Sequence, residues 1–214
     1  RPTGNTRVLS AGDFVPIAEQ SGMMRAIDAE LFAQVCRDVS ELSRIAPGIR
    51  VSVNVSAKDL NRASLLADIE STMQRFSIAP AALRIEITET AVMQDAQRAL
   101  AMLEELRSRG LEIVVDDFGA GYSSLSYLQR LPLGGVKIDR SFISSLPGDE
   151  QTLEIVRAIV ALSKALGLHT TAEGVETPEQ FDAIRRLGID YAQGFWFSPA
   201  VDFETAKSHF AIRS

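Results

Sequence analysis

Leu83-Arg84-Ile85-Glu86-Ile87-Thr88-Glu89 is the stretch that decides the fold. Leu83, Ile85 and Ile87 occupy one face of an extended chain, and Arg84, Glu86 and Thr88 the other, because strand side chains alternate. The same alternation recurs in Val51-Ser52-Val53-Asn54-Val55-Ser56, and in Val136-Lys137-Ile138, where Lys137 opposes two aliphatics. An open, doubly wound parallel sheet buries both faces and reads apolar throughout. These strands instead place an aliphatic face against a helix layer and a polar face in a shared interior, as a barrel does.

Working outward, further β-type runs are expected at 112–116, 135–138, 169–172 and, more weakly, 190–192, besides 51–55 and 83–87. Helical periodicity fills the intervals. Leu100, Leu103 and Leu106 mark one helix, ended by Gly110, and Leu153, Val156, Ile159, Val160 and Leu166 mark another, ended by Gly167. Thr177-Pro178-Glu179-Gln180 is a capping box with proline at the first helical position, and Gly188 closes that helix. Alternating strands and helices predict parallel βα units. No dinucleotide or P-loop glycine fingerprint follows any strand. The reading is an α/β fold, a TIM-like (β/α)8 barrel in one domain over residues 1–214. A complete barrel needs eight strands in about 250 residues. Six are legible, so about two N-terminal strands are expected to be absent from this sequence.

The 214 residues are 46% hydrophobic and 23% charged, with a formal net charge of -6. No basic stripe exists to track a nucleic-acid polymer. The single cysteine, Cys36, cannot form an internal disulfide and reads as core. No apolar run is long enough to span a membrane, and no signal peptide opens the chain. A cytoplasmic location and no membrane contact by this domain are the expectations.

Polar groups gather where the strands end: Asn54, then Glu86 and Glu89, Asp116 and Asp117, Lys137 and Asp139, Glu173 and Glu176, and Gln193. The C-terminal end of barrel strands is where active sites form. Adjacent carboxylates such as Asp116 and Asp117 repel each other unless cations compensate. Oxygen donors of this kind suit Mg²⁺ or Mn²⁺. Two ions about 4 Å apart, bridged by Asp116, would activate water and clamp a phosphate oxygen. Cations nearby would disfavour the ammonium of Lys137, leaving it to orient or deprotonate that water. Asp139 reads first as the cap of the helix that follows it, with a place in the site as the alternative. Phe195, Trp196 and Phe197 read as core and rim packing, with base stacking as the alternative. Met23 and Met24 read as helix packing.

As a set, the motifs are similar to those of the EAL domain family of bacterial cyclic di-GMP phosphodiesterases. They run from Asp13-Phe14-Val15-Pro16-Ile17-Ala18-Glu19 to Gln193-Gly194-Phe195-Trp196-Phe197-Ser198. Between these lie Asn54-Val55-Ser56, Glu86-Ile87-Thr88-Glu89, Asp116-Asp117-Phe118-Gly119-Ala120-Gly121-Tyr122-Ser123-Ser124-Leu125, Val136-Lys137-Ile138-Asp139 and Ala172-Glu173-Gly174-Val175-Glu176. The resemblance implies a modified barrel with an antiparallel first strand. It implies hydrolysis of cyclic di-GMP to linear pGpG with two Mg²⁺ or Mn²⁺ ions. Asn54, Glu86, Asp116, Asp117 and Glu173 would bind metal. Lys137 would contact the nucleophilic water, with Glu173 in support. Gln193, Asp117 and Glu176 would face the substrate. Glu89 would order the loop Asp117–Ser123, which tends to shape a homodimer contact, and upstream sensory or GGDEF modules are common partners.

The sequence departs from the family in lacking Glu-Ala-Leu and its following arginine, and in having Ala120 where threonine is frequent. The missing motif is expected upstream of Arg1, on an absent strand. The domain is therefore expected to be N-terminally incomplete, and this chain inactive by itself. Two other readings stand beside the hydrolase: a non-hydrolysing EAL-type receptor for cyclic di-GMP, and a Mg²⁺ enzyme stabilising an enolate.

Overall fold

A computed structural model describes residues 11–21, 23–120 and 128–211. Six strands form one sheet: β1 (Val51–Asn54), β2 (Leu83–Thr88), β3 (Glu112–Phe118), β4 (Gly135–Ile138), β5 (His169–Ala172) and β6 (Tyr191–Ala192). Their spatial order is their sequence order, and all five pairings are parallel. An open nucleotide-binding sheet reverses its order at a switch point. This sheet never does, so it curls in one direction as a barrel wall. Among the described residues β1 and β6 are free edges, and the antiparallel strand implied by the resemblance has no counterpart there.

The helices are α1 (Ala11–Gln20), α2 (Met24–Ile45), α3 (Ala57–Leu60), α4 (Leu65–Phe76), α5 (Glu89–Gln94), α6 (Ala96–Ser108), α7 (Arg140–Ser144), α8 (Glu150–Ala165), α9 (Pro178–Leu187) and α10 (Phe203–Ala211). The expected capping box opens α9. Gln180 N–H donates to Thr177 Oγ1 at 3.2 Å, and Thr177 N–H donates to Gln180 Oε1 at 3.1 Å. Gly188 ends α9 at φ 72°, a conformation glycine adopts without a Cβ penalty.

The aliphatic strand faces pack against these helices. Leu83, Ile85, Ile87, Val136 and Ile138 are fully buried together with Leu103, Leu106 and Val156 of α6 and α8. Cys36 is buried in the same core, as expected, and burial pushes its thiol up to about 11. Met23 differs from its expected packing role and is exposed at the start of α2, where no described element covers it.

Strand register sorts the inward side chains into layers. Arg84 aligns with Glu112, and Gly135 with His169, at the bottom of the lumen. There Arg84 Nε donates to Glu112 Oε2 at 2.9 Å, Arg50 reaches the same oxygen at 3.2 Å, and His169 Nδ1 stands 3.5 Å from Glu112 Oε1. Glycine at 134 and 135 makes room for this layer. A Cβ on Gly135 would stand 2.3 Å from His169 Nε2, and one on Gly134 would stand 2.7 Å from Glu112 Cγ. The sequence marks Arg84 as inward by parity, but this closure of the lumen was not anticipated. Its partners lie on other strands.

β6 begins one residue later than the sequence suggests. Asp190 turns instead to β5, its Oδ2 accepting from Thr170 N–H at 2.8 Å and from Thr170 Oγ1 at 2.9 Å.

Candidate functional site

One layer higher, Lys137 stands at the centre of the lumen. β4 buries its side chain to 5% exposure, and the ammonium lies 2.6 Å from Glu173, 2.8 Å from Glu86 and 3.0 Å from Asp116. Each acid comes from a different strand or strand exit, so parallel register alone gathers them. Glu86 is itself 5% exposed. Burial works against the charge on Lys137, but the three carboxylates outweigh it and hold its pKa above the ordinary lysine value. The disfavoured ammonium was expected beside bound cations; among the carboxylates alone Lys137 is held charged. With carboxylates alone on three sides, Lys137 is a cationic hydrogen-bond donor.

Neighbouring strand residues normally face opposite ways, so Asp116 and Asp117 should not both point inward. The β3–β4 register shifts between Val115 and Phe118, and Asp117 adopts φ 53°. Such a bulge with a left-handed residue re-aims a side chain, and aspartate tolerates that conformation better than most residues. Oxygens of Asp116, Asp117 and Glu173 consequently lie within 4.8 Å of one another. Burial, then the Asp116 and Asp139 charges, push the Asp117 carboxyl up. Burial also raises Glu173; Lys137 pulls it back, and Asp116 and Asp117 push it up again, for a net rise. Gln193 Nε2 donates to Glu173 Oε1 at 2.6 Å.

The other candidates sit around this cluster. Asn54 ends β1 beside Glu86 in register, exposed at the free edge. Asp139 caps α7, accepting from Ser141 N–H at 2.9 Å, and also contacts Asp117, so cap and site readings both apply. Glu176 is exposed beyond the cluster; its backbone N–H donates to Gln180 Oε1 at 2.7 Å. Both carboxylate oxygens of Glu89 are buried without a partner among the described residues. Residues 121–123 of the loop assigned to Glu89, and with them the expected dimer contact, lie outside the described residues. Phe195, Trp196 and Phe197 are 69%, 45% and 51% exposed, so of the expected core and rim packing the core part does not hold. They follow the short β6 at a free sheet edge, where the Phe197 ring meets Phe181 of α9 edge to face.

One ammonium against Glu86, Asp116 and Glu173, with Asp117 and Asp139 adjoining, leaves an excess of negative charge in a partly desolvated lumen. The donors are all carboxylate oxygens, the set hard divalent cations select, and three of them already converge. The residues present therefore fit such a cation.

The EAL domain model matches residues 2–200, and the chain belongs to that family. It is 39% identical over 192 residues to a protein of Pseudomonas aeruginosa named cyclic di-GMP phosphodiesterase NbdA, covering 89% of this chain and 24% of that protein. It is 40% identical over 189 residues to the bifunctional diguanylate cyclase/cyclic di-GMP phosphodiesterase MucR of the same organism, covering 88% of this chain and 28% of that protein. The chain thus spans about a quarter of the length of these relatives. A solved phosphodiesterase structure of PaMucR in complex with cyclic di-GMP superposes with a TM-score of 0.90 at 37% identity, covering 95% of this chain and 83% of that one. An EAL domain protein of Listeria monocytogenes superposes at 0.84 with 30% identity, covering 97% and 82%. The fold is therefore the TIM-like α/β fold of EAL structures. No helix among the described residues is long and apolar enough to cross a membrane.

Proposed function

We propose that this domain hydrolyses one phosphodiester of cyclic di-GMP to give linear pGpG. The observation that carries the reading is the lumen itself: Lys137 fixed among Glu86, Asp116 and Glu173, with Asp117 re-aimed to join them. The family membership and the names of the relatives support the substrate.

Asn54, Glu86, Asp116, Asp117 and Glu173 would hold two Mg²⁺ or Mn²⁺ ions, with Asp116 between them. Bound there, the ions would supply charge for the phosphate oxygens and a water of lowered pKa. The protein's own part is positional. Lys137 donates hydrogen bonds at the centre of the carboxylates and orients the attacking water. Gln193 fixes the rotamer of Glu173. Glu173, its carboxyl pushed up, is suited to accept the water's proton. Oxygen of that water bonds to phosphorus as the bond from phosphorus to the ribose 3′ oxygen breaks, the water's proton passing to Glu173 and the 3′ oxygen taking a proton from solvent water.

Incubation of the full-length protein with cyclic di-GMP and Mg²⁺, followed by chromatography, tests the proposal. It predicts pGpG, abolished by EDTA and reduced about 10²–10³-fold in Lys137→Ala, the usual cost of removing one preorganised donor. Tight binding with no pGpG would replace the hydrolase by the receptor reading.

A further inference from the structure

β5 carries two adjacent threonines, and their hydroxyls fare differently. Thr170 Oγ1 donates to Asp190 Oδ2 at 2.9 Å and accepts from Asp190 N–H at 3.2 Å. Thr171 shares the inward face with His169 below it and Glu173 above it, by strand alternation. It is 6% exposed, and its fully buried Oγ1 has no hydrogen-bond partner among the described residues. Thr88, the other strand threonine that faces inward, is already engaged: its hydroxyl caps α5, accepting from Ala91 N–H at 3.2 Å. A buried hydroxyl without a partner works against folding, and valine would give the strand the same shape without that cost. The residues around Thr171 Oγ1 already close it off from solvent, so its partner must come from what stands beside it.

Register supplies that neighbour. Thr171 aligns with Lys137 of β4 on one side and with Tyr191 of β6 on the other. Lys137 directs its three N–H donors to Glu86, Asp116 and Glu173. Those are the acids that would hold divalent cations. When they do, their lone pairs turn from Lys137, and like charge repels its ammonium. A lysine has rotatable donors on a flexible stem, so the ammonium can move to another acceptor. The inward residues on the strands flanking β4 are Glu112, Val114 and Asp116 of β3 and His169 and Thr171 of β5. Glu112 is bound to Arg84, Val114 offers no side-chain acceptor, and His169 Nε2 lies against Gly135 one layer lower. Thr171 Oγ1 is the acceptor left.

We infer that Thr171 is a positioning residue for Lys137: when Glu86, Asp116 and Glu173 turn to divalent cations, the displaced ammonium donates to Thr171 Oγ1 and is held there, its other donors facing the attacking water. The inference rests on the phosphodiesterase reading. It gives Lys137 two resting places, one among the acids without metal and one on Thr171 with it.

The experiment compares full-length wild type with Thr171→Val, which removes the hydroxyl and keeps the shape. Thermal unfolding is followed in EDTA, and Mn²⁺ alone is titrated by the spin-resonance signal of the free ion. In EDTA the valine variant should melt at or above wild type, because the lost hydroxyl had no partner there. Its half-saturating Mn²⁺ concentration should rise roughly 10- to 150-fold, the fold-change that corresponds to one hydrogen bond to a charged group. In Mg²⁺ its kcat should fall with KM for cyclic di-GMP within about twofold, as expected for an interaction that acts on the attacking water rather than on substrate binding. Thr171→Ser should restore both Mn²⁺ affinity and kcat. In a Lys137→Met background, the valine substitution should no longer change Mn²⁺ affinity, since the two residues act through one bond. Unchanged Mn²⁺ affinity and kcat in Thr171→Val, with wild type active, would overturn the inference and leave the proposed function standing. A valine variant that melts as far below wild type in EDTA as in Mn²⁺, or an equal Mn²⁺ penalty with and without Lys137, would also overturn it, by showing that the hydroxyl serves the fold alone. A wild type that neither binds Mn²⁺ nor hydrolyses cyclic di-GMP would overturn both.

Discussion

Replacing Lys137 with methionine should destabilise the protein strongly, and more without metal than with it. The ammonium lies 2.6–3.0 Å from three carboxylates. Each contact is worth about 6 kcal/mol gross at an effective dielectric of 20. Most of that is spent on desolvating the groups and holding the acids near one another. Methionine keeps the buried stem's volume but leaves Glu86, only 5% exposed, with no positive partner among these contacts. Breaking a buried pair in this way costs about 3–5 kcal/mol, which for a domain of this size lowers Tm by roughly 6–20 °C. The assay is thermal unfolding of the full-length protein at pH 8 in EDTA, repeated in saturating Mg²⁺. The loss should shrink in Mg²⁺, because bound cations compensate the same acids. It should shrink again in Lys137→Met/Glu86→Gln, which removes the stranded charge as well. A melt in EDTA within 2 °C of wild type, on the order of 1 kcal/mol or less, would refute the reasoning. Lys137 would then not be holding the acids together.

Two further predictions concern the bottom of the lumen. Gly135→Ala places a Cβ 2.3 Å from His169 Nε2; it should cost about 1–3 kcal/mol in urea unfolding, and much less in a His169→Ala background, since the two positions share one space. Equal costs in both backgrounds would contradict that contact. Burial holds the His169 pKa below its ordinary 6.5, with Glu112 partly restoring it. The unfolded chain therefore binds the proton more readily, and the stability His169 contributes above pH 6.5 should be lost as pH falls from 6.5 through its folded value. Glu112 is raised by burial but held down overall by Arg84, so its own contribution disappears only at lower pH, below its ordinary value of 4.5. Melting curves from pH 7.5 to 5 should flatten in His169→Gln, and an unchanged slope would show that His169 does not titrate with folding.

The strands were legible because β-branched residues alternate with polar ones, and alternation is a local property. All six appear in sequential parallel order, which the parity of Leu83–Thr88 already favoured over an open sheet. The strand ends could also be read, since register places Asn54 beside Glu86 and Thr88 beside Asp116 without any knowledge of side-chain geometry. What escaped depends on partners from elsewhere in the chain. The charge state of Lys137 follows from acids on β2, β3 and the exit of β5, and a single strand does not announce its counter-ions. Parity would have sent Asp117 outward; a register shift and one positive φ bring it back. Phe195, Trp196 and Phe197 read as core and rim because aromatic residues usually pack, and only their place beyond a free edge reveals how exposed they are.

The central claim is that the lumen acids are a divalent-metal site built around Lys137. Crystals of the full-length protein soaked in Mn²⁺, with anomalous differences measured, test it most directly. The account predicts two peaks about 4 Å apart, with Asp116 coordinating both and Asp117 coordinating one. Peaks only at surface carboxylates, with the lumen of Glu86, Asp116 and Glu173 still closed on Lys137, would contradict it.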